Sequence, residues 1–402
     1  ITNISGTLYA DKTVVNLEKF EFDEEQGGHY MARAGMSTVG DKRLFGTLQV
    51  TNGRVSNLLS LLGKPVDKLD GSLSGTVDLG GTYGNPSLNV VGSIKDVTID
   101  TKVVGDAKID ASLENRKFKI RTLKLPVDDG LIAAGGTVDL DGDADLQIAV
   151  RDVDIEPFLP LIGDNINATG SITGVINMTG ATQNPKVELS ASLANGSYNG
   201  IDIDQGFVLA TMENHVINVQ RIQGVKEDYK LSAYGKIPLA ALYTTGYLDA
   251  NDSKAMDMTI DFNEADMAVI PLITPTVKDA TGALKGVVHV TGTIDQPEAY
   301  GTVSVRNGTM KIKTVGNELK NIDGDLIFSG QQADFQSRIS AGKGTAGLAA
   351  KVNWTGHTMT SYRAAIQLDG LDLANEYISG PLKGELYIAE KEGIPTLMGN
   401  LN

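Results

Sequence analysis

The stretch Ala280–Pro297, ATGALKGVVHVTGTIDQP, spaces Gly282, Gly286, Gly292 and Pro297 as Gly-x3-Gly-x5-Gly-x4-Pro. The same spacing recurs at Gly71, Gly75, Gly81 and Pro86, and again at Gly170, Gly174, Gly180 and Pro185. A fourth copy, GPLKGELYIAEKEGIP, keeps Gly380, Gly384 and Pro395 and carries Glu390 in place of the third glycine. The copies start roughly 100 residues apart, so the chain is a repeat array. The spacing sets out units at 71–169, 170–281 and 282–379. Residues 1–70 read as the second half of a preceding unit and 380–402 as the start of a further one. The chain therefore reads as an internal fragment of a longer array.

If a strand runs from the first glycine to the third, separations of four and six put all three side-chain positions on one face. Glycine in a strand marks a bulge, a bend or the close approach of another backbone. Two readings follow. The glycines form a bare strip crossed by a neighbouring segment, or the outer two are turn residues and only the middle one lies in a strand. Under either, these residues are structural joints, and the proline, which cannot donate to a ladder, is expected to end the strand.

Alternation of period two fills the rest of the chain. Met256, Met258, Ile260 and Phe262 alternate with Asp257, Thr259 and Asp261; Leu146, Ile148 and Val150 do the same, as do Ala107, Ile109, Ala111 and Leu113. Val303 and Val305 precede Asn307-Gly308, with Met310 and Ile312 after it, which predicts a hairpin at Asn-Gly. The pattern predicts a mainly β fold of roughly 25 to 30 antiparallel strands, each with one apolar face. One segment before each glycine motif predicts about two helical turns: Val55–Lys64, Ile155–Asp164, Asp266–Pro275 and Leu371–Gly380. Such short helices cover only a few strands, yet an apolar sheet face must be buried against something. Either the sheet folds on itself as a sandwich, or it curls and leaves an apolar interior for another occupant.

Catalytic signatures are absent from the sequence. His29, His215, His289 and His357 fall in different repeats without metal-site spacing, and no nucleophile elbow, phosphate loop or dinucleotide fingerprint occurs. Neither a cofactor nor a metal is expected. VDLDGDADL, with Asp139, Asp141, Asp143 and Asp145, resembles a calcium loop but lacks its glycine and glutamate positions, and a hairpin tip explains it better. The basic residues of NRKFKIRTLKL alternate with Phe118, Ile120, Leu123 and Leu125 as on a solvated strand face, with lipid-headgroup contact as the other reading. The net charge of −15, from 50 acidic and 35 scattered basic residues, argues against nucleic acid. With no cysteine there is no disulfide framework, and no apolar run is long enough for a transmembrane helix.

Glycine-rich strand repeats with a helical segment and this joint resemble the TamB family of the AsmA-like group. That resemblance implies an elongated, curled, taco-shaped β-sheet with an open apolar groove, similar to bridge-like lipid transfer proteins. It further implies a periplasmic protein of a diderm bacterium, anchored in the inner membrane outside this fragment. Its implied partners are phospholipid acyl chains and an Omp85-type outer-membrane barrel such as TamA or a BamA-like protein. Phospholipid would travel between the two membranes along one continuous groove rather than through separate domains. The alternating residues expected to line it are Leu48, Val50, Phe118, Ile120, Leu146, Ile148, Val150, Met256, Met258, Ile260, Phe262, Val303, Val305, Ile312, Ile366, Leu368, Leu386 and Ile388. Two rivals keep the same strands: a scaffold that assists outer-membrane protein or autotransporter assembly through its sheet edge, and a tandem β-sandwich surface adhesin. A sandwich core would normally bury more aromatic area than 5% aromatic residues and the single Trp354 supply.

Overall fold

The computed structural model describes every residue except 26, 62–67, 163–166, 199–200, 228, 243–252, 274–275, 314–315, 375–378 and 392–393. Twenty-five strands belong to one antiparallel sheet. The chain divides into two compact units, Ile1–Asp202 with Thr211–Asn214, and Ile203–Ala210 with His215–Asn402.

The first unit begins with β1 (Thr2–Ala10), β2 (Val14–Asp23), β3 (His29–Ser37) and β4 (Leu44–Arg54), followed by helix α1 (Val55–Leu61). Next come β5 (Leu69–Thr82), β6 (Asn85–Ile99), β7 (Lys102–Glu114), β8 (Lys117–Val127), β9 (Gly130–Asp139) and β10 (Asp143–Asp154). A 3₁₀ turn (Glu156–Phe158) and α2 (Leu159–Ile162) then lead to β11 (Ala168–Ala181) and β12 (Lys186–Tyr198). From β1 to β12 every strand pairs with the next, a plain meander. Strand β13 (Ile201–Glu213) contributes residues to both units.

The second unit continues with β14 (Val216–Lys226), β15 (Tyr229–Pro238), α3 (Leu239–Leu242) and β16 (Met256–Glu264). After a 3₁₀ turn (Met267–Val269) and α4 (Ile270–Ile273) come β17 (Val277–Thr281), β18 (Leu284–Gly292) and β19 (Pro297–Ile312). The last strands are β20 (Leu319–Gly330), β21 (Gln332–Ala341), β22 (Gly344–Thr355), β23 (Thr358–Ala374), β24 (Ser379–Lys391) and β25 (Ile394–Leu401). Among the described pairings, the meander departs from simple succession where β16 pairs with β18, and β19 takes both β17 and β18 on one edge.

Three of the four expected helical segments are helical where described, all short, and the two that contain proline begin as 3₁₀ turns. The fourth is not. Leu371–Ala374 continues β23 and Ser379–Gly380 opens β24, pairing with each other as Ala374 with Ser379 and Leu373 with Gly380, while 375–378 lie outside the described residues. Pairing with β24 from Leu371 to Ala374 outweighs helix propensity. Helix α3, four residues long, had no counterpart in the sequence reading.

The hairpin expected at Asn307-Gly308 is a β-bulge inside β19. Asn307 takes φ +54, and its amide donates to Asp323 Oδ1 at 2.9 Å. Asparagine tolerates the left-handed region, so Asn-Gly serves a bulge as well as a turn. The same device recurs at Asn52, Asp96 and Asp152, with φ of 54, 50 and 50. Their amides donate to Ser74 Oγ (3.0 Å), Asp106 Oδ1 (2.9 Å) and Thr173 Oγ1 (3.0 Å) on the adjacent strand. Each bulge shifts the register by one residue, so the positions before and after it share a face: Val50 and Gly53, Ile94 and Val97, Val150 and Val153, Val305 and Gly308.

Candidate functional site

Directly opposed residues of an antiparallel ladder point to the same face. A row can therefore be followed across the first unit, through Leu48, Val77, Val90, Ala111, Ile120, Gly136, Leu146, Met178 and Val187, and it is apolar throughout. The row one residue over, on the other face, runs Thr47, Asp78, Asn89, Ser112, Lys119, Thr137, Asp145, Thr179 and Lys186, and it is polar throughout. In the second unit, Val303, Leu326, Phe335, Ala350, Ala364, Ile388 and Leu397 form one row, and Ile260, Val288, Gly301 and Phe328 another on the same face. Each unit thus has one apolar face.

Of the residues expected on that face, Leu48 and Val50 lie on β4, Phe118 and Ile120 on β8, and Leu146, Ile148 and Val150 on β10. Met256, Met258, Ile260 and Phe262 lie on β16, Val303, Val305 and Ile312 on β19, Ile366 and Leu368 on β23, and Leu386 and Ile388 on β24. Their burial is uneven. Val50, Val303, Val305 and Leu368 are 4 to 8% exposed, Phe118 is 38% exposed, and the others are half-buried. Phe118, Ile120, Leu123 and Leu125 share a face only because a bulge between Ile120 and Leu123 resets the register.

The uneven burial follows from local bending. In the second unit Trp354 Nε1, on β22, donates to Pro297 O on β19 at 3.4 Å, and the Asn317 amide side chain donates to Asp372 O of β23 at 2.8 Å. Three strands apart in a flat sheet means about 14 Å, so the edges of β19–β23 are drawn together. Beneath them Val303, Val305, Ile322, Ala346, Leu368 and Leu371 form one buried cluster with Met267 of the 3₁₀ turn. In the first unit Phe158 packs on Val97, Ile99, Val104 and Ala107, and Lys68 Nζ donates to Pro160 O at 2.9 Å. Along β9–β12 the apolar residues are mostly half-buried, and Ile176 is 36% exposed.

The joint glycines divide by position. In the first three motifs the first glycine meets the helical segment, whereas Gly380 pairs with Leu373 of β23: the Ile155 amide donates to Gly170 O (3.0 Å), the Met267 amide to Gly282 O (2.8 Å), and Asp266, 2% exposed, accepts from the Gly282 amide (2.7 Å) and the Ala268 amide (2.8 Å). At the first copy Asp70 accepts from the Gly71 and Ser56 amides and pairs with Arg54. Burial would raise the Asp70 carboxyl, but these donors and the Arg54 charge hold it below its ordinary value. The middle glycines, Gly75, Gly174, Gly286 and Gly384, face the neighbouring strand instead of a helix. A Cβ at Gly286 would sit 2.0 Å from Thr302 O, and one at Gly75 would sit 2.5 Å from Val91 O.

The third glycines, Gly81, Gly180 and Gly292, take φ of 78, 82 and 79 at the hairpin ends. Gly81 pairs with Pro86 and Gly292 with Pro297, and the fourth copy pairs Glu390 with Pro395. The proline therefore falls within the first two residues of the following strand or directly precedes it, as Pro185 does β12; it does not end the first. Gly-x4-Pro is the imprint of that opposed pair.

The polar face has one feature the alternation did not reveal. Across β22–β25 the row Ala349, Ala365, Tyr387 and Met398 is apolar although it lies on the outer face. Ala349, Ala365 and Tyr387, with Gly347, Gln336, Arg338 and Gln367, line an open depression of about 680 Å³, adjoined by another of about 500 Å³ that Met398 also lines. Asp139 and Asp143 flank a hairpin tip, and Asp141 pairs with Arg116. Among the described residues no three His, Asp or Glu side chains group as a metal site, and no helix is long and apolar enough to cross a membrane. No known protein family, curated protein or solved structure matches the chain.

Proposed function

We propose that the apolar face binds the acyl chains of phospholipids, and that the chain is a section of a periplasmic conduit carrying phospholipids between the inner and outer membranes of a diderm bacterium. The observation that carries this reading is the row from Leu48 to Val187, apolar through nine strands. Its members along β9–β12 are mostly half-buried, although nothing polar explains their spacing. Burying apolar area contributes about 25 cal/mol per Å², close to 0.8 kcal/mol per methylene, so a fatty chain laid on this face binds without a specific polar contact. Selectivity then rests on the tail and little on the headgroup. Membership of twenty-five strands in one sheet favours this over tandem sandwiches, which require two packed sheets. The periplasmic setting, the inner-membrane anchor and the Omp85-type partner rest on the TamB resemblance.

The test is direct. The chain, purified without detergent from a bacterial periplasm, is extracted and its lipids are quantified by mass spectrometry. The proposal expects phospholipid of mixed headgroup composition, reduced when Ile148→Glu and Ile176→Glu are introduced together. Lipid-free protein, or equal lipid in the doubly substituted chain, contradicts it.

A further inference from the structure

We propose that Ile155–Ile162 is a movable strap across the apolar face of the first unit, with Phe158 occupying a place that an acyl chain takes when the strap lifts; this rests on the lipid reading above. The segment leaves β10 and bonds the neighbouring β11 through Ile155, yet its apolar and charged side-chain contacts reach β5 to β7, three to five strands away. The Phe158 ring packs on Val97 and Ile99 of β6 and Val104 and Ala107 of β7, with Leu69 and Leu125 beside them. Glu156 pairs with Lys102 at the start of β7, and the Pro160 carbonyl accepts from Lys68, just ahead of β5. A segment that reaches so far over an apolar face stands in the position of an occupant.

The polar anchors of the segment are weak. The Lys102 and Glu156 side chains are about half exposed, at 52 and 50%, and exposed ion pairs hold weakly in salt. Asp154, which accepts from the Glu156 amide at 3.0 Å, is itself exposed. The corresponding segment of the second unit is fastened differently. There Asp266 is buried and accepts from two backbone amides, one in the segment and one at Gly282, while Met267 is 2% exposed against the core. One segment is pinned by a buried carboxylate, whereas the other is held by the apolar packing of Phe158 and of Leu159, 8% exposed, with only exposed polar anchors, although both share the amide-to-glycine bond at the joint, Ile155 to Gly170 and Met267 to Gly282.

The chain has no cysteine, so Lys102→Cys with Glu156→Cys creates the sole thiol pair. A bis-methanethiosulfonate spacer as long as the ion pair closes the strap, and a reductant reopens it. Loading is read with a pyrene-labelled phosphatidylethanolamine presented in phosphatidylethanolamine–phosphatidylglycerol vesicles. The strap predicts loading severalfold lower in the closed form, with recovery on reduction; equal loading in both forms overturns it. Should neither form load lipid, the lipid reading fails, and hydrogen exchange decides the strap. Slower exchange of the Val97–Ala107 amides in the closed form supports a segment that lifts, and identical rates overturn it.

Discussion

At Asp266 one side chain fixes a helical segment to a glycine joint. Its carboxyl oxygens satisfy two backbone amides in a place where water does not reach them. Asp266→Ala leaves both donors unpaired and is expected to cost about 2 to 4 kcal/mol, read as a lower urea midpoint; a loss below about 0.5 kcal/mol would show that the joint does not depend on this residue. A second residue-level expectation concerns Asp11, at the β1–β2 turn. The Thr13 backbone amide, then the Thr13 hydroxyl, the Val14 amide and the Tyr9 hydroxyl donate to it and hold its pKa at about 2. A depressed carboxyl stabilises the fold above its unfolded value of about 3.9, and that contribution is lost as pH falls through about 2. The Asp11 side-chain NMR signal should titrate with a midpoint near 2; a midpoint at the ordinary carboxyl value contradicts the turn geometry. The glycines and proline of the joint were visible in the sequence as a repeat. The reason for Gly-x4-Pro was not, because opposition across a hairpin is a property of two strands and appears only once their register is known.

Among the elements, strands were legible and their interruptions were not. Alternation locates β10 and β16 because a single buried face leaves a period of two. It fails at the bulges, where the apolar spacing becomes three, as from Val150 to Val153, and where Asn307-Gly308 imitates a hairpin turn. A signal was available in Val50–Gly53, Ile94–Val97, Val150–Val153 and Val305–Gly308, each with Asn or Asp at the third position. The fourth helix was misread for a related reason: LDLANEYISG spaces its apolar residues ambiguously, and pairing with β24 decides the outcome. Asp152 has φ +50, which a β-branched residue resists. Asp152→Val should therefore lower the thermal midpoint, at a cost of about 1 to 2 kcal/mol, and Asp152→Gly should be much milder. The opposite order would contradict a bulge held by its left-handed residue.

For the molecule as a whole, the sequence separates the two faces of the sheet but does not say where the apolar face is covered by the protein itself. Coverage depends on bending, which brings Trp354 to Pro297 and Asn317 to Asp372 across three strands, and no local pattern encodes such contacts. The apolar stretch of the outer depression was hidden likewise, since alanines at 349 and 365 gain meaning only as neighbours. Substitution should reveal the difference in coverage. Val303→Glu buries a carboxylate in the cluster and should cost about 3 to 5 kcal/mol, whereas Ile148→Glu, half-buried on β10, should cost about 1 kcal/mol. Equal penalties in chemical denaturation would place both positions in the same kind of closed core.

The central claim is that the apolar face meets lipid and the polar face does not, and neighbouring residues of β10 test it most directly. A photo-crosslinking amino acid at Ile148 looks onto the apolar row, and one at Gln147, whose side chain bonds Asn177 at 2.9 Å, looks away from it. Irradiated in the bacterial envelope, the first should label phospholipid and the second should not. Equal labelling from both positions, or none from Ile148, would contradict the account.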